Sequence, residues 1–169
     1  MTIPNPEHLF QQAERLAESA SAGPTRQAEL RRAISSAYYG LFHFILTCLA
    51  DEMVGVMQRG SGRYTLVYRS IDHRALKDLC LEAQKATPSR KFATVMPPLG
   101  FGPDIQIFAV KTYELYESRN RADDDPQPRF VASDARLAID AARTARLHFI
   151  QADPGLKTLF LTLLLCPPR

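Results

Sequence analysis

Residues 31–50, RRAISSAYYGLFHFILTCLA, decide the fold. They belong to a run from Arg26 to about Met53 that contains no proline and a single glycine, Gly40. Within it Leu30, Ile34, Ala37, Leu41, Phe44, Ile45 and Cys48 recur at helical spacing, which predicts one long amphipathic helix. A second stripe, Arg32, Ser36, Gly40, His43 and Thr47, carries small residues that let another helix approach closely. Thr25 stands in the N-cap position.

Working outward from this helix, the remaining segments repeat the same period. Leu9, Phe10, Ala13, Leu16, Ala17 and Ala20 predict a first helix, stopped by Gly23-Pro24. Asp72 is placed to cap a helix running to about Ala86, with Leu76, Leu79, Cys80 and Ala83 inward. Ile105, Phe108, Ala109, Thr112, Leu115 and Tyr116 predict another from Asp104 to about Ala122, ended by Pro126 and Pro128. A fifth follows from about Phe130 to Gln151, with Val131, Ala135, Ala138, Ala142, Ala145 and Phe149 as its stripe. The stretch about 55–71 reads as a basic loop, 87–103 as a proline-rich loop, and 154–169 as a short apolar C-terminal segment. No strand alternation of any length occurs, so helix-on-helix packing is the way to bury these stripes. The expectation is a single all-α domain, an up-and-down bundle of about five helices.

Composition narrows the function classes. A chain of 169 residues that is 46% hydrophobic and 23% charged has enough apolar surface for a core. A net charge of +3 is too small to imply nucleic-acid binding, so that case rests on local clustering. Cys48, Cys80 and Cys166 are odd in number and widely spaced, which fits free thiols in a reducing cytoplasm rather than a disulfide or zinc framework. MTIPNPEHLFQQ has no basic region leading into an apolar core, and the apolar run within Leu156–Cys166 is about half a membrane span. The expectation is a cytoplasmic protein with no membrane association, no metal and no cofactor.

Chemistry concentrates at one helix end. The face through Ile105, Phe108, Thr112 and Leu115 continues to Arg119, and a guanidinium ending an apolar stripe is costly unless paired. In the sequence RNRADDDP, Arg119 can pair with Asp123 and lock the helix end. Alternatively, Arg119 and Asn120 face a cleft or a symmetry mate and bind phosphate, with Arg121 close by. His43 has two readings as well: a hydrogen-bonded structural histidine, or a group that meets Arg119 or Asp123 across the bundle. Between residues 59 and 91, Arg59, Arg63, Arg69, Arg74, Lys77, Lys85, Arg90 and Lys91 face three carboxylates, with Tyr64 and Tyr68 interleaved. That composition suits base stacking and phosphate contact, or simply a solvated basic loop.

AISSAYYGLFHFIL at 33–46, preceded by Arg31 and Arg32, resembles the second-helix signature of HEPN-domain proteins. DHRALKDLC at 72–80 is similar to the short helix after their variable loop. YELYESRNRADDDP at 113–126 is similar to their later helix, whose end carries an Arg-Asn motif. The resemblance covers about residues 7–152. It implies a HEPN-like bundle, a homodimer and metal-independent ribonuclease chemistry, in which histidine moves a proton and arginine stabilises the phosphorane. Its settings resemble toxin–antitoxin or defence systems, with an antitoxin-like or neighbouring-gene protein as a further partner. The family's histidine follows the arginine by a turn or two; here Asp123, Asp124 and Asp125 occupy that stretch. Ionised carboxylates neither protonate a leaving group at neutral pH nor welcome phosphate. The ending resembles instead a subset with Arg-x-x-Ala-Asp.

Three functions follow as expectations. The first is an RNA- or nucleotide-binding module without the family's ribonuclease activity. The second is a protein-interaction module in which Arg119–Asp123 is structural and the apolar tail holds a partner. The third is a metal-independent ribonuclease that uses Arg119, Asn120 and His43. His148 follows Arg143 by five residues, but side chains at that spacing on a helix point about 140° apart.

Overall fold

The computed structural model describes residues 3–19 and 23–168, and within them the chain is all helical. The elements are α1 (Pro6–Ser19), α2 (Arg26–Val54), a short 3-10 turn (Val56–Gln58), α3 (Gly62–Tyr68), α4 (His73–Ala83), α5 (Gly102–Asp124), α6 (Ala132–Gln151) and α7 (Pro154–Leu165). Ala20, expected in the first helix, lies outside the described residues.

α2 is the axis of the bundle and packs against α1, α3, α5, α6 and α7. Its buried residues run on almost every side, from Leu30 and Ala33 through Tyr38, Gly40 and Leu41 to Leu49 and Ala50. A helix apolar all round is stable in water only when neighbours enclose it. α2 is long and apolar enough to cross a membrane, and 72% of that window is buried among the other helices. The small-residue stripe does admit a close neighbour: a Cβ on Gly40 would lie 2.6 Å from the Phe10 ring of α1.

Two helices exceed the expected five, and both have local causes. Ser61 caps α3 by accepting the Tyr64 N–H, and Tyr64 and Tyr68, one turn apart, turn inward. The flanking glycines, Gly60 and Gly62, make this segment read as loop. Asp153 caps α7 by accepting the Leu156 N–H, and Pro154 opens the helix. Phe160 of α7 is fully buried, with its ring 5.6 Å from Phe101, 5.4 Å from Phe108 and 6.0 Å from Phe149. The apolar tail therefore completes the core. Asp72 caps α4 through the Ala75 N–H as expected, whereas the Thr25 side chain makes no capping bond.

The segment between α4 and α5 holds no long helix, yet it is anchored. Phe92, Met96 and Phe101 are buried. The Glu82 side chain, only 6% exposed, accepts hydrogen bonds from the Ser89 N–H and from Lys85 Nζ at 2.6 Å. Burial alone raises the pKa of its carboxyl, but these bonds outweigh burial and hold it below the usual range. Glu82→Gln keeps the shape and loses the charge. It is expected to cost about 1–2 kcal/mol and to speed proteolysis between residues 84 and 101. Unchanged limited proteolysis would show that the aromatic anchors suffice.

Candidate functional site

The first turns of α2 hold the end of α5. Gln27, Arg31 and Ser35 are spaced by four and share one face. Gln27 donates to Phe130 O at 2.8 Å and accepts from Phe130 N at 3.0 Å. Arg31 donates to the carbonyls of Ala122 (2.9 Å), Asp125 (2.7 Å), Pro128 (2.7 Å) and Arg121 (3.4 Å), and its guanidinium lies 5.1 Å from the Phe130 ring centroid. The last carbonyls of a helix have no partner within it and carry partial negative charge, so a guanidinium here is both donor and counter-charge. Ser35, fully buried, donates to Asp123 Oδ1.

Arg119 emerges from this framework. Its Nη2 donates to the Tyr39 hydroxyl at 2.8 Å and its Nη1 to Asn120 Oδ1 at 2.8 Å. Its Nε lies 3.1 Å from Asp123 Oδ2, but the N–H is not directed at that oxygen, so this contact is coulombic rather than a hydrogen bond. The guanidinium sits 5.7 Å and 5.4 Å from the Tyr38 and Tyr39 ring centroids. Arg119, Asn120 and Asp123 are thus brought together, and Arg119 remains 18% exposed.

His43 is not bonded to Arg119 or Asp123. Its Nδ1 is 2.7 Å from the Tyr68 hydroxyl of α3, and the two rings are near-parallel. The histidine beside Arg119 is instead His73, the first residue of α4. Its Nδ1 lies 2.9 Å from the Tyr38 hydroxyl, and its ring centroid is 4.0 Å from Phe42, 5.4 Å from Tyr38 and 5.6 Å from Tyr39. So α2 supplies Tyr38 and His43, and each pairs with the complementary residue from another helix. No arginine stands five to seven residues before His73 in the sequence; only its packing on Tyr38, Tyr39 and Phe42 of α2 brings it to the site.

Burial sets the protonation of both pairs. It pushes the Tyr38 phenol far up and that of Tyr68 up to about 12, so both keep their protons. It lowers His43 and His73, and for His73 the charges of Arg119 and His43 add to the effect while Asp72 opposes it. Both imidazoles rest neutral at pH 7. The unfolded chain binds these protons near pH 6.5 and the folded chain only below that. Stability from this cluster is therefore present above about pH 6.5 and is lost as pH falls below it. Urea unfolding at pH 7.5 and 5.5 is expected to show this loss in the wild type and less of it in a His43→Gln/His73→Gln variant. Equal losses in both would place the acid sensitivity elsewhere.

The basic cluster divides. Arg59 is bound to Asp51 through two bonds of 2.9 and 2.5 Å, and Tyr64 shares that carboxylate at 2.8 Å. Arg63 and Arg69 are exposed and form no ion pair among the described residues, and Arg74, 82% exposed, touches Asp78 only at 3.6 Å. Tyr64 and Tyr68 are buried, so neither offers a face for stacking, contrary to the expectation from their spacing. They face inward because α3 is a helix and they lie one turn apart on its core side. Arg121 lines a groove of about 240 Å³ between α5 and α6, together with Glu114, Arg129 and Leu137, and Arg119 is not part of that lining. Arg143 and His148 also part company: Arg143 pairs with Glu7 and Glu14 of α1, and His148 with Asp104 of α5 at 2.7 Å. Among the described residues no group of three metal-ligating side chains gathers.

Compared with known proteins, the chain matches no family model, no curated protein and no solved structure.

Proposed function

We propose that this bundle is a HEPN-like module that binds RNA or a nucleotide through the end of α5 and the rim of α3 and α4. The observation that carries this reading is the part-exposed Arg119 guanidinium. It is held by Tyr39 and Asn120, and each of its terminal nitrogens keeps one hydrogen not used in these bonds. The exposed side chains of Arg63, Arg69 and Arg74 supply further positive charge on the two helices that carry Tyr68 and His73. Phosphate is recognised by such fixed guanidinium groups, and the surrounding basic residues add a salt-dependent, sequence-independent attraction. The order of the three HEPN-like segments along the chain supports the same reading. On this reading the protein works in the cytoplasm as a homodimer, in a toxin–antitoxin or defence setting. Asp123 to Asp125, standing where the family has its histidine, argue against the family's own route of RNA cleavage.

Filter binding of a single-stranded oligoribonucleotide over a salt series tests this. Binding is expected to weaken linearly in log–log form as salt rises, and Arg119→Ala and Arg69→Ala/Arg74→Ala to lower affinity by about tenfold each. No binding at low salt would remove the reading.

A second reading, a protein-interaction module, is favoured by the Arg119–Asp123–Ser35 contact, which ties α5 to α2. It predicts that Arg119→Ala lowers the melting temperature and leaves every binding measurement unchanged. The apolar tail drops out of that reading, since α7 lies in the core. The third, ribonuclease reading requires metal-free RNA cleavage that Arg119→Ala abolishes.

A further inference from the structure

We infer that His73 and Arg119 together form a seat for a phosphate group, and that occupying it loads a proton onto His73, so that binding is controlled by pH. This rests on the proposed RNA- or nucleotide-binding role, and adds which side chains the phosphate meets and what regulates them.

The geometry comes first. His73 and Arg119 flank the same two rings: the imidazole centroid is 5.4 and 5.6 Å from Tyr38 and Tyr39, and the guanidinium is 5.7 and 5.4 Å from them. The Tyr38 hydroxyl holds Nδ1 and fixes the ring plane. A phenol is a better donor than an imidazole N–H, and an imidazole nitrogen a better acceptor than a phenol oxygen. Tyr38 therefore donates to Nδ1, and the ring hydrogen of neutral His73 resides on Nε2. Nε2 has no hydrogen-bond partner among the described residues, and His73 is part-exposed. An oxyanion with several oxygens can accept from the guanidinium and from Nε2–H at once.

The surrounding charges make the seat proton-sensitive. From α2 it is faced by Tyr38, Tyr39 and His43; from α5 by Arg119 and, behind Tyr38, Tyr116; and Asp72 precedes His73. Tyr68 of α3 joins through its bond to His43. Two acidic groups border it: Asp72, whose Oδ1 accepts the Ala75 N–H at 2.7 Å, and Asp123 of α5, whose Oδ2 lies 3.1 Å from Arg119 Nε and whose Oδ1 accepts from Ser35. At rest, burial and the positive charge of Arg119 keep His73 neutral. A bound phosphate reverses the local field, favours imidazolium, and draws a proton from solvent onto the ring. In the protonated ring the Nδ1–H donates to the Tyr38 oxygen while Nε2–H stays on the anion. By linkage, affinity falls as pH rises through the titration of the bound histidine.

The test uses the full chain and two probes, inorganic pyrophosphate and a single-stranded oligoribonucleotide. Proton NMR titration of the wild type is expected to show the His73 midpoint below 6.5 without pyrophosphate and higher by about one pH unit with it. Oligoribonucleotide affinity is expected to drop about tenfold from pH 6 to pH 8 in the wild type and in His148→Gln, and to be nearly flat in His73→Gln. A His73 midpoint unmoved by pyrophosphate, or the same pH slope in His73→Gln, overturns the inference, even if RNA binds. Movement of the midpoint without any RNA binding keeps the phosphate seat and removes the RNA reading. Because the midpoint is measured on the unsubstituted chain, poor folding of His73→Gln does not spoil the test.

Discussion

Phe160→Ala is expected to cost about 3–5 kcal/mol of stability, which for a chain of this length lowers the melting temperature by on the order of 10 °C. The ring is fully buried and meets Phe101, Phe108 and Phe149 at centroid distances of 5.6, 5.4 and 6.0 Å. Those three rings come from the entry to α5, from α5 itself and from α6. Truncation removes dispersion contacts with all of them and leaves a cavity that three helices would have to shift to fill. Edge-to-face geometry at three of these contacts adds a term that an aliphatic replacement does not restore, so Phe160→Leu should recover only part of the loss. Urea unfolding monitored by circular dichroism measures it. A loss under about 1 kcal/mol would mean that α7 is an appendage, and would reopen the tail as a partner-binding element.

Arg31→Met is expected to cost about 2–4 kcal/mol. Methionine keeps an unbranched apolar stem against Phe130 but removes every donor that reaches the α5 end, at Arg121, Ala122, Asp125 and Pro128. The carbonyls of Ala122, Asp125 and Pro128 lose charge-assisted partners, and water can replace them only where the turn faces solvent. Arg31→Lys should be intermediate, because a single ammonium cannot span this fan of oxygens. Amide hydrogen exchange should show where the damage falls, with faster exchange around residues 119–130. Arg119 precedes that turn, so on the proposed RNA-binding reading the same variant should weaken oligoribonucleotide binding beyond its effect on global stability. Exchange that quickens uniformly, with binding intact, would separate the cap from the site.

Much of the fold is legible along the chain, and the reason lies in how local its signals are. The stripe Leu30, Ile34, Ala37, Leu41, Ile45 needs only the 3.6-residue period to be read, and it is buried as expected. Asp72 is recognisable as a cap because a short carboxylate before a helical run satisfies a free N–H three residues on. α3 escapes such reading because Gly60 and Gly62 favour a turn locally; burial of Tyr64 and Tyr68 against α2 outweighs that preference. α7 escapes because an all-apolar segment has no period to reveal its inward side.

At the site, the Arg119–Asp123 pair could be foreseen, since both lie on one helix four residues apart. Arg31 as a helix cap, His73 as the histidine beside Arg119, and the bond between His43 and Tyr68 could not. Each joins residues 25 to 97 positions apart. What the amino-acid sequence determined by itself is therefore what repeats or acts within a helical turn: the helical class, the long central helix, the Asp72 cap, and the charge-rich end of α5. What only the tertiary structure decided is which side chains from different helices face one another, because crossing angles and registers are set by mutual packing of whole faces. Protonation follows from that packing rather than from residue type: burial and the Arg119 charge hold His73 neutral, in surroundings that no stretch of sequence displays.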